Sequence, residues 1–380
     1  MKILHVIPAY YPATYWGGPI FSVYALNNAL AQLPDVFLKV LTTDAAGPRV
    51  SERLEPSDMV RLYPNQEVIM TRRLVGACVS VELLRELPRL IRWADVVHLT
   101  STYSFPVIPT LAICRILNKP LVWSPRGAIQ DAHEWKGAKH RRPKKLWELF
   151  CNMLIRSDSV LMHTTSEREQ NATQARIPKA LAMIVPNGVD VPSVTPEREW
   201  LPNGQLRLMY LGRLSPKKGI ENILLAINQL HDPSVSLTIY GTGEVGYVAH
   251  LKELTAHLGH FENTINFAGH VNGEAKSAAF HVADACIVAS YTENYCMVVA
   301  EALAYGVPVI VSHGAPWAEI EKKRCGLWVD NSPESLAQAI TRIRTMGLQK
   351  MGELGREWMQ MEFNWEVIAK SMHKIYGDVI

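Results

Sequence analysis

"ADACIVASYTENYCMVVAEALAYGVPVIVS", residues 283–312, is the stretch whose reading decides the fold. A short apolar run ends near Ser290. An acid-bearing loop follows, then a helical stretch around Met297 to Ala304, a Gly-Val-Pro turn and a second apolar run. Strand, loop, helix, tight turn and strand make one βαβ unit, the connection that joins parallel strands. Two acids, Glu293 and Glu301, stand here with seven residues between them in otherwise apolar surroundings. Glu293 falls in the loop beyond the first strand. Glu301 lies inside the helix, about a turn and a half past the free N–H groups of its first turn. Paired hydroxyls, as on a ribose or hexose, hydrogen-bond well to two carboxylates, and the N–H groups of a helix start suit a phosphate. The alternative for Glu301 is an ordinary solvated helix face, which its apolar flanks disfavour.

The same pattern extends outward in both directions. Upstream, "KILHVI", "VFLKVLTT", "ADVVHLT", "KPLVWS", "DSVLMHTT" and "LAMIVPNG" read as strands buried on both faces, most of them separated by helical patterns or loops. After the Pro- and Gly-rich stretch "VPNGVDVPSVTPEREWLPNG" the alternation restarts with "LRLMYLG", "VSLTIYGTG" and "INFAGH". The expected fold is α/β, with two Rossmann-like doubly wound domains facing each other across a cleft. The boundaries read as a domain at 1–190, a linker at 191–204, a second domain at 205–362 and a C-terminal helix at 363–380. For that helix, a return to the N-terminal domain is one placement.

Composition sets the outer limits. At 380 residues the chain exceeds what one core usually serves, and 48% hydrophobic with 20% charged residues is a globular profile. A net charge of +3 gives no global field for nucleic acid. Six scattered cysteines without a C-x-x-C pair read as reduced thiols in a cytoplasmic protein, and no His/Cys spacing fits a metal. "MKILHVIPAYYP" reads as a first strand rather than a signal peptide, and no apolar run is long enough to span a bilayer.

A second constellation supports the same ligand. "YLGRLSPKKGIEN" places Arg213 and Lys218, with Lys217 beside them, between a strand and a helix, where they can neutralise a departing diphosphate. Gly241 and Gly243 in "YGTGE", and His270 and Val271 in "AGHVN", are strand-end loops suited to lining a base pocket with main-chain groups. In the first loop, Gly17 and Gly18 either let the backbone approach a ligand or serve only as flexible turn residues.

These pieces resemble the retaining glycosyltransferases of family 4 (group 1), built on the GT-B fold. The match rests on Gly17-Gly18, "VPNGVD", "GRLSPKKG", "YGTGE", "AGHV" and "ENYCMVVAEALAYGVPVI". The resemblance implies a donor-binding C-terminal domain and an acceptor-binding N-terminal one. In it Glu293 contacts donor sugar hydroxyls, Glu301 the ribose, and Arg213 and Lys218 the diphosphate. Gly17 and Gly18 approach donor and acceptor, and His270 and Val271 lie near the base. Gly241, Gly243, Asn294, Tyr295, Cys296, Met297 and Val298 complete the donor-binding set. No metal or other cofactor is implied, the donor being a UDP- or GDP-sugar. Transfer proceeds with retention, by front-face attack in which the leaving phosphate helps deprotonate the acceptor.

Two departures stand out. The family often has Gly where Cys296 stands, so a side chain narrows the room beside the sugar. In "VWSPRGAIQDAHEW", where many members carry a histidine, this chain has Arg126-Gly127, with His133 further on, resembling a bacterial branch with an S-P-R-G segment. Arg126 has three readings: a donor phosphate contact, an acidic acceptor contact, or an ion pair within its own domain. His163 is either an acceptor contact or a satisfied edge residue.

Six Lys or Arg between Lys136 and Lys145, followed by Trp147, Phe150 and Leu154 at helical spacing, read either as a membrane-docking segment over 136–156 or as a basic loop before a core helix. The expected function is sugar transfer to a saccharide or lipid-linked acceptor in bacterial surface polysaccharide assembly, in the cytoplasm or at the inner face of the cell membrane. The alternatives are a sugar-nucleotide epimerase or hydrolase on the same fold, and a non-catalytic sugar-nucleotide binder.

Overall fold

The computed structural model describes residues 1–58, 62–129, 141–156, 159–194, 197–258 and 264–380. The chain divides into two compact units, Met1–Gly188 with Trp365–Ile380, and Val189–Asn364. Each is built on a wholly parallel sheet, and each is taken by itself below.

Unit 1 has strands β1 (Lys2–Val6), β2 (Phe37–Thr43), β3 (Gln66–Thr71), β4 (Val96–Thr100), β5 (Leu121–Ser124), β6 (Val160–Thr164) and β7 (Leu181–Ile184). They lie in the order β3-β2-β1-β4-β5-β6-β7. All residues of β4 and β5 are buried, which is why those strands read as continuous apolar runs. The helix Val81–Trp93 buries Leu83, Leu87, Leu90 and Ile91 along one stripe, and its cap Ser80 accepts from Leu83 N at 3.2 Å. Sequence patterning passes over β3, an edge strand with polar Gln66 and Glu67 and only its ends buried.

Helix Trp365–Val379 belongs to this unit. It buries Ile368, Ala369, Met372, Ile375 and Tyr376 in the cluster that holds Val23, Leu26 and Leu30 of helix Gly18–Ala31. Burial of Ile368, Met372 and Ile375 is worth roughly 2 kcal/mol each, which ties the chain end to the unit where it began.

Unit 2 has β8 (Leu206–Leu211), β9 (Val235–Tyr240), β10 (Ile265–Gly269), β11 (Ala285–Val288), β12 (Val309–Ser312) and β13 (Gly326–Val329), in the order β10-β9-β8-β11-β12-β13. The opening stretch is the βαβ unit expected, with β11, helix Met297–Ala304 and β12. β13 is four residues long and starts at a glycine, too little pattern to read in advance.

The stretch read as a linker is held to unit 2 where it is described. Arg198 donates to the carbonyls of His281, Gly306 and Phe280 at 3.0–3.1 Å, and Leu201 N donates to the buried Asp284 at 3.2 Å. All six cysteines are free and buried.

In both sheets the strand order reverses once, beside β1 and β4 in unit 1 and beside β8 and β11 in unit 2. Chains leaving such a pair turn to opposite faces and open a crevice at the strands' carboxyl ends.

Candidate functional site

The loops leaving β8 and β11 meet at the reversal point of unit 2. The first runs through Arg213 and a short turn at Pro216–Lys218 into helix Ile220–Leu230. Gly219 makes the corner. Its φ is +60°, and a Cβ there would stand 2.2 Å from the carbonyl oxygen of Ala289, at the end of β11, so only glycine lets the loops touch. Tyr291 N donates to Lys217 O at 3.0 Å across the same contact. Gly241 does the same on the neighbouring loop, where a Cβ would lie 1.8 Å from Gly212 O.

This closeness brings Lys218 and Glu293 into an ion pair through Glu293 Oε1, which also accepts from Ser290 Oγ at 2.7 Å. Glu293 N is tied to Gly314 O at 2.8 Å. The second carboxylate oxygen, Oε2, has no partner among the described residues and is available to a ligand's hydroxyl. Burial pulls against the charged form of Lys218, but Glu293 outweighs it and its pKa is raised. Arg213 is exposed, and its guanidinium makes no hydrogen bond or ion pair among the described residues.

Glu301, on helix Met297–Ala304, pairs through Oε1 with Lys276 of helix Gly273–Val282 at 2.7 Å, and both side chains are part-exposed. Its Oε2 is also without a described partner. His270 is exposed and Val271 half-buried on the loop between β10 and that helix. Sequence reasoning missed Ser290 and Lys276. Nothing in their spacing marks them, because each acts through a fold contact with one of the acids.

Cys296 caps the helix with φ 69° and ψ 73°, a left-handed conformation that a non-glycine residue adopts at a cost. This accounts for the family's frequent glycine there. Burial pushes its thiol well up, with Glu293 adding to the effect. Asn294, Met297 and Val298 are half-buried around it. Tyr295 is placed elsewhere: its ring packs on Trp317 in the core, and its carbonyl accepts from Trp317 Nε1 at 2.5 Å. Its side chain is therefore turned away from the open face.

In unit 1, Gly17 has φ +79°, and a Cβ at Gly17 or Gly18 would meet nothing within 4 Å, so the space beside this helix start is open. His163 is a satisfied core residue rather than an accessible contact. It is 3% exposed, Nε2 lies 3.0 Å from Val185 O, and β6 is an interior strand rather than an edge. It belongs to a cluster with His5 and His98, whose rings stack at 4.3 Å. His5 bonds Asn27 and Thr100 at 2.8 Å, and His98 Nδ1 bonds Tyr376 OH at 2.6 Å. Burial lowers His5 and His163 to about 3 and His98 well below its ordinary value. The only advance signal for His5 and His98 was a histidine inside an apolar strand run. Arg126 hydrogen-bonds Asn187 through Nη1 and makes no ion pair among the described residues, against the domain-internal pair weighed above. His133 lies outside the described residues.

Of the segment read over 136–156, residues 136–140 lie outside the described residues, and helix Arg141–Leu154 divides the three apolar residues singled out, with Phe150 exposed and the other two on the core. Trp147 and Leu154 face inward, Trp147 Nε1 donating to Thr102 O at 2.8 Å. The exposed apolar stripe is Leu146, Leu149, Phe150 and Met153, flanked by exposed Arg141, Arg142 and Lys145. Among the described residues no helix is long and apolar enough to cross a membrane, and no group of His, Cys, Asp and Glu could hold a metal.

Comparison with known proteins adds the decisive observation. The Glycosyltransferase Family 4 profile matches residues 16–192, and the profile of glycosyl transferases group 1 matches residues 195–358, the two together covering most of the chain. The chain belongs to the group 1, family 4 glycosyltransferases. A glycosyltransferase of Methanocaldococcus jannaschii is 29% identical over 174 residues, 44% of each chain. A GDP-mannose-dependent alpha-(1-6)-phosphatidylinositol dimannoside mannosyltransferase of Mycobacterium tuberculosis is 27% identical over 228 residues, 58% of each. The chain thus spans about half the length of these curated relatives. Among solved structures, HepE of Anabaena in complex with UDP superposes with TM-score 0.74 at 17% identity over the full length of both chains, a likeness in fold. The chain accordingly has the two parallel-sheet α/β domains of the GT-B fold.

Proposed function

We propose that this glycosyltransferase moves a sugar from a UDP- or GDP-sugar to a saccharide or lipid-linked acceptor with retention at the anomeric carbon. The observation that carries the reading is the meeting of Lys218 and Glu293 where unit 2's strand order reverses, with exposed Arg213 on the same loop as Lys218. In this reading Arg213 and Lys218 take the diphosphate and neutralise the charge that builds as its bond to the sugar breaks. The free oxygen of Glu293 accepts from sugar hydroxyls, and that of Glu301 from the ribose. Without ligand, Lys218 and Glu293 neutralise each other; a diphosphate gives Lys218 a second counter-charge. The acceptor oxygen bonds to the anomeric carbon on the face the diphosphate leaves, and its proton passes to the departing phosphate oxygen. The names of relatives support the donor class, one using GDP-mannose and another holding UDP.

The test is incubation with labelled UDP-glucose and GDP-mannose, with and without oligosaccharide acceptors. Transfer requires an acceptor, whereas an epimerase would change the donor alone. Glu293→Ala, Arg213→Ala and Lys218→Ala should each cut turnover by about a hundredfold or more with unchanged circular dichroism. Full activity in all three would refute the assignment.

The stripe on helix Arg141–Leu154 supports a further part of the reading, that the enzyme docks on anionic lipid where a lipid-linked acceptor waits. Bacterial surface polysaccharide assembly at the inner face of the cell membrane is the setting that joins the two. Failure of phosphatidylglycerol liposomes to retain the protein would remove this part.

A further inference from the structure

Among the side chains of unit 1 with buried polar atoms that no described residue satisfies are Arg126, beyond the carboxyl end of β5, and His98, within β4. Arg126 lies two residues beyond β5 in a left-handed conformation, φ 51°. One end of its guanidinium, Nη1, is anchored on the side chain of the buried Asn187. Its Nε and Nη2 are buried and have no hydrogen-bond partner among the described residues. The same is true of Nε2 of His98, a fully buried residue of β4. Both belong to one cluster, since the charge of Arg126 reaches His5, His98 and His163.

The carboxylate whose charge reaches Arg126 is committed elsewhere. Glu169 Oε1 accepts from Gly127 N, and Oε2 accepts from Thr165 N at 2.7 Å and Thr165 Oγ1 at 2.8 Å. The guanidinium therefore sits buried with one neutral amide as its hydrogen-bond partner among the described residues. A water would satisfy its hydrogens but bring no charge, and Glu169 offsets the guanidinium only from beyond ion-pair distance, a costly arrangement away from solvent. The two unpaired N–H groups form the side-on fork of the guanidinium, whose spacing matches two oxygens of a carboxylate or phosphate. The position, beyond the strand ends, is where open α/β sheets bind ligands.

We propose that Arg126, anchored by Asn187 and neighboured by His98, forms an oxyanion site in unit 1 for a phosphate or carboxylate group. Resting on the transfer reading above, that group belongs to the acceptor. The acceptor is then an acidic or phosphorylated saccharide rather than a neutral one.

The test is histidine-selective 15N NMR of the full chain, titrated with inorganic phosphate and separately with acetate at constant ionic strength in chloride. At least one anion should shift the His98 and His163 ring resonances saturably. The stronger of the two tells a phosphoryl from a carboxylate group. Arg126→Met should abolish the saturable shift, and Arg126→Lys, which keeps the charge and loses the fork, should weaken it by about tenfold. Asn187→Leu provides a second variant, with weakened binding expected, should Arg126→Met fail to fold. No saturable shift by either anion up to about 50 mM overturns the site, leaving its groups to water alone; so does a shift that persists in Arg126→Met. UDP titration separates the two levels. Arg126→Met should bind UDP as the wild type does, and lost UDP binding would refute the assignment to the acceptor. A wild type that binds no nucleoside diphosphate sinks the transfer reading while the anion site stands.

Discussion

Acid should open unit 1 steeply below pH 6.5, because its three clustered histidines are buried as neutral rings. In the unfolded chain each takes a proton near pH 6.5. In the folded unit His5 and His163 hold out to about 3, and His98 also lies well below its ordinary value. Between those limits the unfolded state binds more protons, so stability present at pH 7 is lost as pH falls through 6.5. Each ring costs about 1.4 kcal/mol per pH unit, so from pH 6.5 to 5 His5 and His163 together remove about 4 kcal/mol. That is a large share of the 5–15 kcal/mol typical of a domain. Hydrogen exchange of β1 and β6, each rate taken relative to an unstructured peptide at the same pH, reads the opening of this unit directly. Protection should fall by about three powers of ten between pH 7 and 5, or further with His98. His163→Gln, whose amide can still donate to Val185 O, should recover about one and a half of them. Protection that is flat with pH, or that falls equally in the variant, would refute the reasoning.

Other outcomes follow from the same geometry. Gly219→Ala should lower the thermal midpoint by several degrees: a left-handed alanine costs about 1–2 kcal/mol, and its Cβ would also sit 2.2 Å from Ala289 O. An unchanged midpoint would mean that the loops from β8 and β11 do not touch as described. Asp284→Ala should cost about 3–5 kcal/mol in urea unfolding. Asp284 is fully buried and accepts from Arg207 at 2.9 and 3.0 Å, and its loss unpairs Arg207 Nε and two backbone N–H groups, leaving the guanidinium only its bond to Glu199 O. Finally, the six buried thiols should resist a disulfide reagent until denaturant is added, with burial holding Cys114, Cys151, Cys286 and Cys325 up at about 12. Rapid labelling of the native protein would contradict their placement.

Much of this molecule was legible in its residue order. Strands buried on both faces leave unbroken apolar runs, and helices leave a stripe at their own period, so alternating parallel-sheet units could be read before any coordinates. Charged residues just beyond strand ends singled out Arg213, Lys218 and Glu293 as candidates, and apolar flanks singled out Glu301 inside its helix, because both signals are local. Patterning failed at β3 and β13, where an edge or a very short strand has too little buried face to show. It also grouped Phe150 with Trp147 and Leu154 on helix Arg141–Leu154, since a helix with apolar residues on two sides does not say which one the core takes.

What only the tertiary structure decided are the partnerships between residues distant in sequence. The pairing of Lys218 with Glu293 and of Lys276 with Glu301, the sealing of His163 inside the sheet, and the return of the last helix to the first unit all belong here. So does the unsatisfied fork of Arg126. Each depends on which strands become neighbours and which side chain reaches a partner first. Sheet order and packing set those distances, and no local pattern carries them.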